Sequence, residues 1–145
     1  MLTQNMRRRT FSDTRLSFRL KYPETTPQGH AVKIKEASVR GGIKAHFVSE
    51  DSQELYFEVI WYPGLAPEEG YERLKEDVEK RFEELDDSEL QESRLGSLPV
   101  FAFSFSWPER ERTVIFIPRR QAMYRILYDP RSPLNLHTLS TVELL

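Results

Sequence analysis

Three histidines are the side chains best suited to metal or acid–base chemistry in this 145-residue chain. His30, His46 and His137 are far apart in the sequence, and none has a second histidine at the i, i+4 spacing found on metal-binding helices. The chain has no cysteine, which excludes thiol catalysis, disulfides and thiolate metal sites. Each histidine is therefore expected to be a surface or hydrogen-bonded polar residue, and the sequence predicts no metal site.

Pairs of neighbouring acids are the other candidates for chemistry. Glu50 with Asp51, and Asp86 with Asp87, have the ligand type that binds a cation weakly. Loop acids near the ends of strands and helices are more commonly solvated. The chain also lacks a Gly-x-Ser-x-Gly elbow, a glycine-rich phosphate loop and a dinucleotide fingerprint. We therefore expect no catalytic or cofactor-binding residues, no cofactor, and a protein that is not an enzyme.

Arginines near predicted turns and one Trp–Tyr pair are candidates for a weak protein-binding surface. Loops and strand ends carry function more often than strand centres do. Scattered cations are usual on a domain whose net charge is close to zero, so ordinary strand-end packing and solvation remain the alternative. The candidate residues are Trp61, Tyr62, Arg110, Arg112, Arg119 and Arg120.

The charge balance limits the classes of partner. The chain has 21 Lys and Arg against 23 Asp and Glu, a formal net charge of -2, which argues against nucleic acid and anionic membranes as partners. The first residues contain no apolar stretch typical of a signal peptide or of a membrane span of about 20 residues. We expect a soluble, cytoplasmic protein, or an extracytoplasmic one if a leader has been removed. Residues 1–12 are expected to be a flexible tail, and 13–145 a single domain.

A row of aromatic residues near residue 100 must be either buried or exposed, and the choice bears on function. The stretch LPVFAFSFSW, residues 98–107, predicts a strand with one aromatic face formed by Phe101, Phe103, Phe105 and Trp107. Each ring brings roughly 150–250 Å² of surface, so together they exceed the patch that a soluble monomer leaves exposed. Val, Ala and Ser fill the gaps, where a base-stacking surface would have cations. We expect the wall of a core; a ligand cavity and a base-stacking platform are the alternatives.

Hydrophobic periodicity predicts the elements that position these residues. Alternation in RLSFRLKYP predicts a strand whose inward residues are Leu16, Phe18, Leu20 and Tyr22. Gly41 and Gly42 favour the positive φ angles of a tight hairpin. A change to three- and four-residue spacing predicts one long helix over about residues 67–85. Ser132 and Pro133 are typical of a helix start and predict a short C-terminal helix.

The order of these elements resembles the PsbP-like superfamily. The resemblance covers about residues 11–144 and depends on segments such as FSFRLKYP, RLGSLPVFAFSFSW, RTVIFIP and MYRILYD. That superfamily includes the extrinsic oxygen-evolving subunit of photosystem II, a Ran-binding nuclear import factor of the same fold, and many bacterial proteins, among them lipoproteins. The resemblance implies an α+β fold, an α/β/α sandwich around a central antiparallel sheet. It also implies a non-enzymatic accessory or binding role.

Three functions follow as hypotheses. The first is a non-catalytic accessory or protein-binding domain, with a secretion-effector chaperone-like adaptor as one variant. The second is a carrier of a small apolar ligand between sheet and helix. The third is an enzyme of unrecognised type. We expect a protein partner, no nucleic acid, no membrane span, and a monomer or homodimer.

Overall fold

The computed structural model describes residues 7–51, 53–64, 69, 72, 91–107, 110–119 and 122–145, with the side chains of 103–107, 110 and 111 excepted. Strands and one short helix account for most of these residues. Their bounds are β1 Arg8–Asp13, β2 Phe18–Pro23, β3 Val32–Val39, β4 Gly42–Ser49, β5 Tyr56–Pro63, β6 Gln91–Leu95, β7 Leu98–Trp107, β8 Arg110–Pro118, β9 Ala122–Tyr128, α1 Pro133–Ser140 and β10 Glu143–Leu144.

The strands form two antiparallel sheets. The large sheet has the order β3-β4-β5-β9-β8-β7-β6, and the small sheet has the order β1-β2-β10. The predicted hairpin between β3 and β4 is confirmed, and Gly41 in its turn has a φ of 82°. A Cβ atom at Gly42 would lie 2.2 Å from the carbonyl oxygen of Trp61, so β5 approaches this turn too closely for any side chain.

The main core lies between the two sheets. The four residues predicted to point inward from the early strand, Leu16, Phe18, Leu20 and Tyr22, are all buried, which confirms that prediction. The ring of Phe18 stacks on Tyr124 with centroids 5.8 Å apart, and the ring of Tyr22 lies 5.4 Å from that of Phe47. The hydroxyl of Tyr124 donates to the carbonyl of Leu16, so a hydrogen bond also joins the large sheet to the turn before β2.

A second buried cluster lies on the opposite face of the large sheet. It consists of Ile60, Tyr62, Val114, Phe116 and Met123. Phe101, from the predicted aromatic row, pairs with Phe116 in the strand register and packs against this cluster. Phe101 is only partly buried there, whereas Val100, on the other face of β7, is buried in the main core. The other three side chains of the row lie outside the described part of the chain, so the core role of the row stays a prediction.

The predicted fold class, an α/β/α sandwich with one long helix, is wrong. The described residues form mostly antiparallel β-sheet, α1 is the one helix whose bounds lie within them, and the layer that covers the main core is the small sheet together with α1. The apolar side chains that alternate along β2 are buried against the large sheet. The small sheet therefore covers this part of the core without a helix. The stretch predicted as the long helix, 67–85, lies outside the described residues except for Glu69 and Glu72, which are helical.

Two predictions concern the ends of the sequence. The short C-terminal helix is confirmed: Ser132 is the N-cap and accepts a hydrogen bond from the N–H of Asn135, and Pro133 begins α1. A flexible tail is predicted for residues 1–12, but residues 8–12 lie in β1, which pairs with β2. Phe11 of this strand makes an edge contact with Phe47 at 5.2 Å, which attaches β1 to the core.

Asn135 joins α1 to the large sheet. Its side chain is fully buried; Oδ1 accepts the N–H of Tyr56 at 3.0 Å and Nδ2 donates to the carbonyl of Asp129 at 3.1 Å. Tyr56 begins β5 and Asp129 follows β9, its neighbour in the sheet. One amide therefore satisfies a donor and an acceptor from two adjacent strands, as a buried polar group must.

Replacing Asn135 with Ala is expected to reduce the free energy of unfolding by about 2–3 kcal/mol, because both backbone groups lose their side-chain partner. Urea denaturation measures this loss. Thr138→Val is the matched control, since Thr138 is equally buried but its hydroxyl donates to Leu134 within α1. The control should cost less than about 1 kcal/mol. Equal losses for the two variants would contradict the joining role of Asn135.

Candidate functional site

The candidate residues Trp61 and Tyr62 lie on opposite faces of β5. Trp61 is half-buried against the main core, whereas Tyr62 is buried in the second cluster. Successive side chains of a strand point to opposite faces, so this separation follows from the strand itself. The two rings therefore do not form one surface.

Arg112 is a buried member of an ionic network. Its side chain is 5% exposed, its Nη1 lies 3.4 Å from Asp129 Oδ2, and its guanidinium carbon lies 4.5 Å from the ring centroid of Tyr56. Arg119, at the other end of β8, is exposed. Arg120 and the side chain of Arg110 lie outside the described residues. Partner binding by Arg110, Arg119 and Arg120 stays a prediction, whereas the guanidinium of Arg112 is buried against Asp129 and Tyr56.

Three lysines share the outer face of the β3–β4 hairpin, and we call them the lysine face: Lys33, Lys35 and Lys44. In the strand register Lys35 lies opposite His46, and Lys44 lies opposite Ala37, two residues further along β3. Residues opposite each other across a ladder project to the same side of the sheet. The row continues from His46 to Glu58 of β5. The register of the hairpin therefore collects positive charge at the β3 edge of the large sheet.

His46 lies beside the lysine face. Its ring makes an edge contact with Tyr56 at 4.6 Å. Burial lowers the pKa of His46, and the charges of Lys44 and Lys35 lower it further, while Glu58 acts in the opposite direction. A neutral imidazole at this position adds no charge to the lysines around neutral pH.

A second polar group, the loop cluster, consists of His30, Asp51 and Glu54. His30 Nδ1 lies 2.7 Å from Glu54 Oε1 and 3.5 Å from Asp51 Oδ2. His30 precedes β3, and the two acids lie between β4 and β5. The hydrogen bond to Glu54 raises the pKa of His30, and burial opposes that effect. An imidazole nitrogen and two carboxylate oxygens thus converge at one point on two loops.

Hydroxyl groups and backbone N–H groups fix the two carboxylates. Ser49 Oγ donates to Asp51 Oδ1 at 2.5 Å, and the backbone N–H groups of Gln53 and Glu54 donate to the same oxygen. The Ser49 hydroxyl lowers the pKa of Asp51, and the two N–H groups add to that effect against burial. Thr26 Oγ1 donates to Glu54 Oε1 at 2.5 Å. The loop cluster therefore has its own supporting shell.

Spacing along the sequence did not reveal the loop cluster. Along the chain Asp51 is next to Glu50, and none of the three histidines has a second histidine one helical turn away. In the fold, the N–H of Glu50 donates to the carbonyl of Ala31, which holds the two loops together. No local pattern encodes this contact, because it depends on the pairing of β3 with β4. The other predicted acid pair, at 86–87, lies outside the described residues.

Comparisons with known proteins identify a structure of similar fold but no family for this chain. No protein-family model matches the chain, and no curated protein matches it. A crystal structure of a protein from Bacteroides thetaiotaomicron VPI-5482 is similar, with a TM-score of 0.53 and 13% identity over 94% of this chain. The chain covers 48% of that protein, about half of its length. The similarity concerns the fold alone, and the resemblance to the PsbP-like superfamily stays a prediction.

Across the described ranges, none of the helices has both the length and the apolar character needed to span a bilayer.

Lys35→Gln is expected to raise the pKa of His46, because it removes a positive charge that disfavours the imidazolium. An NMR titration of the imidazole resonances measures the change. Lys21→Gln, on the small sheet, is the control and should leave this pKa unchanged. A downward change in the Lys35 variant would contradict the placement of Lys35 beside His46.

The stabilisation contributed by Asp129 should depend on pH. Burial raises the pKa of Asp129, but the hydrogen bonds and charge of Arg131, with the charge of Arg112, outweigh it and hold the pKa below its ordinary value. The contribution is therefore present above the ordinary carboxyl pKa and is lost as the pH falls through the lowered one. The difference in unfolding free energy between wild type and Asp129→Asn should shrink on acidification below about pH 4. Urea denaturation at matched pH values tests this, and a constant difference would contradict it.

Proposed function

We propose that this chain is a non-catalytic accessory domain that binds a protein partner, and that the partner presents an acidic extended segment to the lysine face. The observation that supports this proposal most directly is the collection of Lys33, Lys35 and Lys44 on one face at the edge of the large sheet. The side chains of Lys33 and Lys35 are exposed, so a partner can reach them.

The position of β3 favours an extended segment as the occupant. β3 is eight residues long and is the terminal strand of the large sheet. An edge strand offers backbone N–H and C=O groups to a segment that adds to the sheet. Lysines on an edge strand oppose pairing with a like-charged edge and favour a segment that carries acidic residues.

The accessory or binding role implied by the resemblance to the PsbP-like superfamily stays a prediction, because the α/β/α sandwich implied by the same resemblance is not the observed fold. Among the described residues, several buried polar groups have partners within the fold, whereas Nε2 of His46 is buried without a hydrogen-bond partner. Arg112 pairs with Asp129, and Asn135 bonds to two strands. Lys33 and Lys35 at the β3 edge are exposed and therefore accessible for recognition.

A labelled eight-residue peptide of alternating Glu and Val is the test probe, with a Lys and Val peptide of equal length for comparison. Fluorescence anisotropy should show binding of the acidic peptide that weakens with added salt. The double variant Lys33→Glu with Lys35→Glu should weaken it by at least about tenfold, since like charges then face each other. Lys21→Glu, an exposed lysine on the small sheet, is the matched control and should bind as wild type does.

Two results would contradict the proposal. One is equal binding of the acidic and basic peptides by the wild-type chain. The other is acidic-peptide binding that the double variant does not weaken. Light scattering on the same samples distinguishes peptide binding from pairing of two copies through β3, and a dimer that excludes the peptide would also contradict the proposal.

A further inference from the structure

The loop cluster has the donor set of a metal site. His30 supplies an imidazole nitrogen, and Asp51 and Glu54 each supply a carboxylate oxygen, with the three ligand atoms within 4.8 Å of one another. With a neutral imidazole the three groups carry two negative charges, which match one divalent cation. Zn²⁺ accepts this mixture of nitrogen and oxygen ligands, whereas Ca²⁺ and Mg²⁺ prefer oxygen alone.

The distances between the ligand atoms suit a tetrahedral ion. With metal–ligand bonds of about 2.0–2.2 Å, two ligand atoms of a tetrahedral site are about 3.4 Å apart. His30 Nδ1 and Asp51 Oδ2 are 3.5 Å apart. His30 Nδ1 and Glu54 Oε1 are 2.7 Å apart and need to separate by only about 0.7 Å, within reach of a rotation of the Glu54 side chain.

The supporting shell matches the outer shell of a metal site. Ligating carboxylates in proteins are usually held by further hydrogen bonds that orient them. Ser49 holds one oxygen of Asp51 and leaves Oδ2 directed towards His30, and Thr26 holds Oε1 of Glu54. Ser49 and Thr26 are themselves buried, at 1% and 4% exposure. The three ligands are only partly buried, which gives an ion access from solvent.

We propose that the loop cluster is a Zn²⁺ site with three protein ligands, His30 Nδ1, Asp51 Oδ2 and Glu54 Oε1, and a fourth position open to water. The bound ion would cross-link the loop before β3 to the loop between β4 and β5. This site lies beyond the proposed partner-binding function and does not depend on it.

Isothermal titration of the wild-type chain with ZnCl₂ at neutral to mildly alkaline pH tests the proposal, since Zn²⁺ binds the deprotonated imidazole and displaces the proton that Glu54 favours. We expect one Zn²⁺ per chain and a higher melting temperature in its presence, because the ion binds only the folded arrangement. MgCl₂ and CaCl₂ should give neither effect. Binding of Ca²⁺ as tight as that of Zn²⁺ would overturn the assignment.

Variants separate this site from adventitious binding to histidine. His30→Ala and Glu54→Gln should each weaken Zn²⁺ binding by at least about 100-fold, and Thr26→Val, an outer-shell change, by about tenfold. His137→Ala is the matched control, since His137 is also partly exposed but lies on α1, and it should retain wild-type affinity. Loss of binding in the control, or wild-type affinity in His30→Ala, would overturn the proposal.

A measurement on the wild-type chain keeps the test valid if a variant fails to fold. The chain has three histidines, whose imidazole nitrogens are distinguishable by ¹H–¹⁵N NMR. Adding one equivalent of ZnCl₂ should move the Nδ1 resonance of His30 and leave those of His46 and His137 in place. A shift of either other histidine without His30, or no shift at all, would refute the site.

Discussion

The buried amide of Asn135 is the constraint on which the described structure depends most. A single side chain satisfies the first N–H of β5 and the carbonyl that follows β9, and so fixes the distance of α1 from two neighbouring strands. Beside it Ser132, the N-cap of α1, donates its hydroxyl to the carbonyl of Glu54 at 2.7 Å. The helix therefore also holds the loop that carries two of the three groups of the loop cluster.

The two candidate surfaces are built in different ways. The lysine face results from strand register, since one hairpin aligns side chains that are distant along the chain. The loop cluster results from two loops that meet at the end of the same hairpin, where Ser49 and Thr26 orient the acids. Both depend on the pairing of β3 with β4, so the hairpin at Gly41 is the common basis of the proposed binding surface and of the proposed ion site.

The sequence predicted the parts of this molecule that depend on local pattern. Alternation located the buried side chains of β2, and the Ser132–Pro133 pair located the start of α1. Alternation alone does not say whether a helix or a second sheet covers an apolar face, and this ambiguity produced the wrong fold class. His30 and Glu54 meet through tertiary contacts, and the three lysines meet through register. Neither relation is visible in spacing along the chain.

The pairing within the small sheet affects how the chain folds. β10 pairs with β2, and Arg19 bonds to Glu143 across a separation of 124 positions. Closing so large a loop costs chain entropy before any contact compensates for it, which slows folding. During synthesis on the ribosome, the small sheet cannot be completed until β10 has emerged. Until then, one side of β2 lacks its partner strand and is exposed to mispairing.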